Sequence, residues 1–201
     1  MQLLKLTRGL PYFFTVKDVQ TLLNIKAASA RVLCNRYVKN EVFVRLRRNL
    51  YMQESTFRHH VGAKLFPLMA EMFPRSYISF TSALRYHGVL HGMPIGVEAM
   101  SPTRTWEDHI LYQHFKLYRL PKKYFFGFHK DKAGFTIATP EKALLDLLYL
   151  YSLGRYTHYI PFRHINLERI DFKKLFELSE VYPPRTQKLL SRLYARFSKR
   201  L

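Results

Sequence analysis

Between Thr15 and Met52 the spacing of apolar residues changes twice, and each change predicts a new element. Val16, Val19, Leu22 and Leu23 recur at three and four residues, which predicts a helix. Thr15 can cap it, and Asp18 falls in a first turn where the dipole favours negative charge. Asn24 and Ile25 then make a turn. Over Ala27 to Lys39, with successive side chains about 100° apart, Ala30, Leu33, Cys34, Tyr37 and Val38 gather on one side, the side that packs on the first helix. The opposite side collects Ala28, Arg31, Val32, Asn35 and Lys39, flanked by Ser29 and Arg36. From Val42 to Leu46 the pattern alternates, sending Val42, Val44 and Leu46 one way and Phe43 and Arg45 the other, as in a strand. Arg47, Arg48 and Asn49 turn it back into Leu50, Tyr51 and Met52. Arg48-Asn49 is the expected turn pair, since asparagine tolerates the positive φ of a tight hairpin.

Beyond this module the pattern is coarser. Residues 53 to 74 include a helix broken or kinked near Pro67. Ser79 or Thr81 opens another through Ala83, Leu84 and Tyr86, and Gly88 ends it. Val97 to Met100, His114 to Leu120, Tyr124 to Phe128 and Phe135 to Ala138 read as short strands. In Thr139-Pro140-Glu141-Lys142 the threonine caps a helix, proline takes its first position and glutamate faces the positive dipole end. Ala143 to Leu150 is apolar on nearly all sides apart from Asp146, which predicts a central helix of a second core. A last helix begins at Pro184. Its Arg185, Lys188, Arg192, Arg196 and Lys199 form one stripe beside an apolar face of Leu189, Leu190, Leu193, Tyr194 and Phe197.

Charge sharpens the picture. The chain has 33 Lys+Arg against 14 Asp+Glu, a net charge of +19, so a polyanion is the natural partner. Residues 1 to 52 hold 10 basic and 2 acidic side chains, and residues 182 to 201 hold 6 basic and none acidic, whereas 53 to 181 hold 17 and 12. The two ends are therefore where polyanion contacts are expected. With 201 residues, 48% of them hydrophobic, the chain can bury a sizeable core. The lone Cys34 excludes an intramolecular disulfide framework and a multi-thiolate metal site, and fits a reducing compartment. No apolar run approaches the ~20 residues of a membrane span, and the first residues lack a signal-peptide core. The expectation is a cytoplasmic protein without a membrane partner.

A helix, a turn, a second helix and a basic hairpin are the parts of a winged helix-turn-helix. On the second helix, arginine suits guanine O6 and N7, asparagine suits adenine, and alanine or valine can meet a thymine methyl. The DNA-contacting set is therefore Lys26, Ala28, Ser29, Arg31, Val32, Asn35, Arg36 and Lys39 on the helix, with Arg45, Arg47, Arg48 and Asn49 on the wing. The tail stripe is a candidate second surface for nucleic acid or a protein. Two other classes compete. An enzyme could use Glu141 with Asp146 and Lys142, yet helix capping explains Glu141, and no phosphate-cradling or nucleophile-elbow motif accompanies it. His87 and His91 could share a metal, but Gly88 separates them and no third ligand is evident, so neither metal nor cofactor is expected. An RNA-binding protein could stack bases on the aromatics of the basic run from Tyr118 to Phe126.

The segments VRLRRNLYM, YISFTSALRYHGV and TPEKALLDLL, in this order and spacing, resemble the AbiEi-type antitoxins of bacterial type IV toxin-antitoxin systems over most of the chain. The resemblance implies an α+β protein with a winged helix over 1–53, a linking helix over 54–76 and an antitoxin domain over 77–201. It further implies repression of its own operon at inverted repeats of double-stranded DNA, and a nucleotidyltransferase-like toxin that the antitoxin opposes without necessarily holding it in a stable complex. One feature departs from the family: its wings end in a basic pair and glycine before the tyrosine, whereas here Asn49 and Leu50 precede Tyr51.

Overall fold

A computed structural model describes residues 2–60, 62–92, 96–156 and 165–198. The chain is a mixed α+β protein with a two-stranded and a six-stranded sheet among the described residues. It divides into two compact units, residues 1–64 with 109–113, and residues 65–108 with 114–201.

The first unit contains α1 (Gln2–Gly9), α2 (Val16–Leu23), α3 (Ala27–Lys39), β1 (Phe43–Arg47), β2 (Leu50–Gln53) and α4 (Glu54–Arg58). Thr15 and Asp18 form a capping box at the start of α2, and Asn24 closes the helix in the left-handed conformation with φ 52°. Ala30, Leu33 and Cys34 of α3 are buried against Val19 of α2, together with Leu6, Leu10, Phe14, Phe43 and Tyr51. Burial pushes the Cys34 thiol above its ordinary pKa, in keeping with a packing role. Phe14 lies outside any helix and exchanges backbone bonds of 3.0 and 2.8 Å with Tyr51, adding a single-residue third strand to the hairpin. α1 was not legible in the apolar pattern, though Leu6 and Leu10 complete this core.

The alternation expected for the first strand is modified. Phe43 is as buried as Val44 and Leu46, packing its ring edge-on at 4.7 Å against Phe14, so only Arg45 and Arg47 point to solvent. The register shifts between Arg45 and Arg47, and Arg47 then pairs with Leu50. The bulge therefore falls at Leu46 on β1, while Leu50 takes a regular paired position and is itself buried. Arg48 and Asn49 make the turn, Asn49 at φ 58°.

The second unit begins with α5 (Phe66–Met72), β3 (Tyr77–Ile78), α6 (Phe80–Tyr86) and β4 (Gly96–Ser101). It continues through β5 (Trp106–Ile110) and β6 (Gln113–Arg119), of which residues 109–113 fall in the first unit, and through β7 (Phe128–Lys130), β8 (Thr136–Ala138), α7 (Pro140–Ser152), α8 (Phe172–Ser179) and α9 (Pro184–Ser198). The sheet order is β5-β6-β4-β3-β8-β7, with β4 parallel to β6 and β3 parallel to β8. Pro67 does not break a helix but lies in the first turn of α5, where its missing N–H costs nothing, and α4 and α5 are separate helices in different units. Tyr124 to Phe128 is not a strand. Lys122 to Tyr124 forms a 3-10 turn, and Gly127 takes φ 73° where a Cβ would lie 3.0 Å from Lys142 Cγ, so only glycine fits. α7 is capped by the Thr139 side chain and is buried from Glu141 to Leu150.

Candidate nucleic-acid interface

With α3 packed through Ala30, Leu33 and Cys34, its remaining surface is open. Ala28, Ser29, Arg31, Val32, Asn35, Arg36 and Lys39 are all exposed, and so is Lys26, the N-cap residue. Val32 is 67% exposed, a valine with no intramolecular reason to be apolar. Arg36 lies over the Tyr37 ring at 5.6 Å, which steadies its guanidinium on the helix surface. Lys26 caps α3 through its extended backbone, with no side-chain cap hydrogen bond.

On the hairpin, Arg45, Arg47 and Arg48 are exposed. Asn49 plays a part the sequence did not indicate: its Oδ1 accepts the backbone N–H of Val16 at 3.1 Å, fixing the hairpin turn to the first residue of α2. The positive φ and this bond account for Asn49 at the tip. Of the two acidic residues in this module, Asp18 is occupied by the Thr15 amide at 2.6 Å and hydroxyl at 2.7 Å. None of the ion pairs among the described residues involves Arg31, Arg36, Lys39, Arg45, Arg47 or Arg48. Exposed cations over a packed face, with no ion pair among the described residues neutralising them, make a surface suited to a polyanion.

In the second unit the tail cations Arg185, Lys188, Arg192 and Arg196 are exposed along α9, while Lys199 lies outside the described residues. The enzyme candidates are differently placed. Lys142 and Asp146 are fully buried and form an ion pair one turn apart. Lys142 Nζ also donates to the hydroxyls of Tyr182 at 2.9 Å and Tyr77 at 3.0 Å, and Asp146 accepts from Tyr77 and Ser79 at 2.8 Å each. Burial lowers the Lys142 pKa against the opposing pull of Asp146, and burial together with the Asp146 charge holds the Tyr77 hydroxyl well above its ordinary value. Every member has a partner, and neither charge has exposed surface from which to meet a substrate. Glu141 pairs with Lys174 at 3.0 Å. His87 Nε2 bonds the Ala138 carbonyl at 2.8 Å, Gly88 ends α6 at φ 68°, and no metal-binding group of His, Cys, Asp and Glu forms among the described residues.

The aromatic run that the RNA-binding alternative would use to stack bases is turned inward. Tyr118 and Tyr124 are buried, Tyr124 stacks on Tyr182 at 4.3 Å, and Phe125 and Phe126 are half-buried, packing against Tyr77 and Tyr182 respectively. Among the described residues no helix is long and apolar enough to cross a membrane.

No protein-family model matches the chain, and no curated protein matches it. Its fold is similar to that in the crystal structure of the RV2827C protein from Mycobacterium tuberculosis, with a TM-score of 0.61 at 13% identity over 95% of this chain and 74% of that one. At such identity the likeness is one of fold.

Proposed function

We propose that the first unit is a winged helix-turn-helix that binds duplex DNA in a sequence-specific way, and that the chain is an autorepressor and antitoxin of the AbiEi type. The observation that carries the DNA reading is the open face of α3, where Arg31, Val32 and Asn35 stand exposed on a helix anchored by Ala30, Leu33 and Cys34. Such a face supplies the bidentate donors and apolar contacts that discriminate base edges in a major groove. The order of parts supports it: α1, the single-residue strand at Phe14, α2, α3, then a hairpin whose exposed side is arginine. On this reading Arg45, Arg47 and Arg48 contact phosphate or minor groove, while Asn49 holds the wing to α2.

The antitoxin reading rests on the resemblance of YISFTSALRYHGV and TPEKALLDLL. The buried Lys142 and Asp146 within the latter support a structural role for that segment. The test has two arms. The chain is titrated with the DNA upstream of its own coding sequence and with random duplex at fixed salt, and preference for the former by about a thousandfold or more is expected. Co-expression with a neighbouring nucleotidyltransferase-like protein should restore growth; no rescue would end the antitoxin reading while leaving the repressor reading intact.

A further inference from the structure

From the second unit we infer a separate, sequence-independent site for the phosphodiester backbone of duplex DNA along α9, deepening the DNA-binding reading and resting on it. Arg185, Lys188, Arg192 and Arg196 stand exposed in one row at intervals of three and four residues, spanning roughly 16 Å at a rise of 1.5 Å per residue. The helix beneath them is held fast. Leu190 and Thr186 are fully buried, Thr186 bonds the Ser152 hydroxyl at 3.0 Å, and Gln187 donates to the carbonyls of Ser179, Glu180 and Tyr182 at the end of α8.

The row differs from the paired lysines of its unit. Lys142 has Asp146, Lys174 has Glu141 and Lys116 has Glu107, whereas no ion pair among the described residues involves any of the four α9 cations. No acidic residue follows Glu180 in the sequence. Like charges three and four residues apart on a helix repel weakly, so an anion laid along the row is favoured, and three of the four are arginine, whose planar fork suits phosphate.

The occupant follows from what flanks the row. A membrane surface would need the apolar side of α9 free, but Leu190 is buried and Phe197 stacks on Phe172 at 5.4 Å. Unpaired bases would need exposed rings beside the cations. Tyr194, the most exposed aromatic of α9, lies on the far side of the helix and packs on Phe172 at 4.8 Å. A duplex needs neither, because backbone contacts require only positive charge at regular spacing.

The test compares the full-length chain with R185Q/R192Q/R196Q on two probes, the DNA upstream of its own coding sequence and a random duplex of equal length, across a salt series. The variant should lose affinity by the same factor on both, and the slope of log K against log salt should shallow by roughly 0.9 for each phosphate no longer neutralised. The charge-conserving R185K/R192K/R196K should keep the parental slope, and circular dichroism should match for all. An unchanged slope in the glutamine variant overturns the α9 site, as does an equal change in K122Q/K130Q/K132Q, which would reduce the effect to net charge. Loss on duplex RNA alone, with DNA slopes unchanged, would also overturn it. A parent that binds both DNAs equally defeats the sequence-specific reading without touching the α9 result.

Discussion

α3 and α7 are both 13 residues long, yet one buries three side chains and the other ten. In α7 even the charges are inside, and each is matched: Lys142 by Asp146 and two tyrosine hydroxyls, Glu141 by Lys174. In α3 the charges are outside and unmatched, beside an exposed valine. Burial of an unpaired charge costs several kcal/mol, so a core helix must complete every polar group within the chain. A helix exposed on one side faces no such demand. The difference separates a helix whose charges the chain itself completes from one whose charges it leaves open to solvent.

The contrast between the two helices is most exposed to attack at Lys142. Lys142→Met leaves Asp146 charged and buried, and should cost about 3–5 kcal/mol in urea unfolding. The double variant with Asp146→Leu should cost less than the single, and a single variant as stable as the parent would show that the pair does not hold the core together.

Arg47→Ala with Arg48→Ala probes the open side of the molecule, where truncation should leave unfolding within about 0.5 kcal/mol. Binding to all duplex sequences should weaken, with the salt slope reduced by roughly 0.9 for each phosphate the wing no longer neutralises. Equal salt slopes for variant and parent would take the wing out of the interface.

The smallest effect lies at the surface of the second unit. Burial raises the Glu141 pKa but is outweighed by the hydrogen bonds from Lys174, its own backbone N–H and Thr139 together with the Lys174 charge, so the carboxyl sits below its ordinary value. A depressed folded-state pKa means stability that is present above the usual glutamate range, about 4.3, and lost as pH falls below it. Because Lys174 is 46% exposed, solvent screens the pair, and Lys174→Ala should cost about 1 kcal/mol or less at neutral pH, with a smaller difference in acid. A larger loss in acid than at neutral pH would reverse the assigned direction.

Legibility followed the same division. The face of α3, the Asn24 turn, the Arg48-Asn49 tip and the Thr139 cap were readable because local rules govern them: helical period, left-handed tolerance, cap chemistry. α1 was not, because Leu6 on it and Leu10 just after it meet a core assembled from distant segments. The two-residue β3 carries no periodicity, and Tyr124 to Phe128 mimicked a strand because its aromatics pack on Tyr77 and Tyr182 while Gly127 bends the backbone. The Lys142-Asp146 spacing announced a pair. Its tyrosine and serine partners, dozens of residues away, could not be read from it. On the hairpin the hidden element was Asn49, whose bond to Val16 depends on the turn lying against α2.

Whether the open face of α3 reads bases is decided by a base-by-base substitution series through the DNA upstream of the coding sequence, titrated with the parent, Arg31→Ala and Asn35→Ala. Each variant should lose about 1–3 kcal/mol on the preferred site and become indifferent at one base pair while keeping the parental preferences elsewhere. If both lose affinity equally on preferred and random duplexes, with no base pair relaxed, α3 touches only phosphate and base reading by this helix is ruled out.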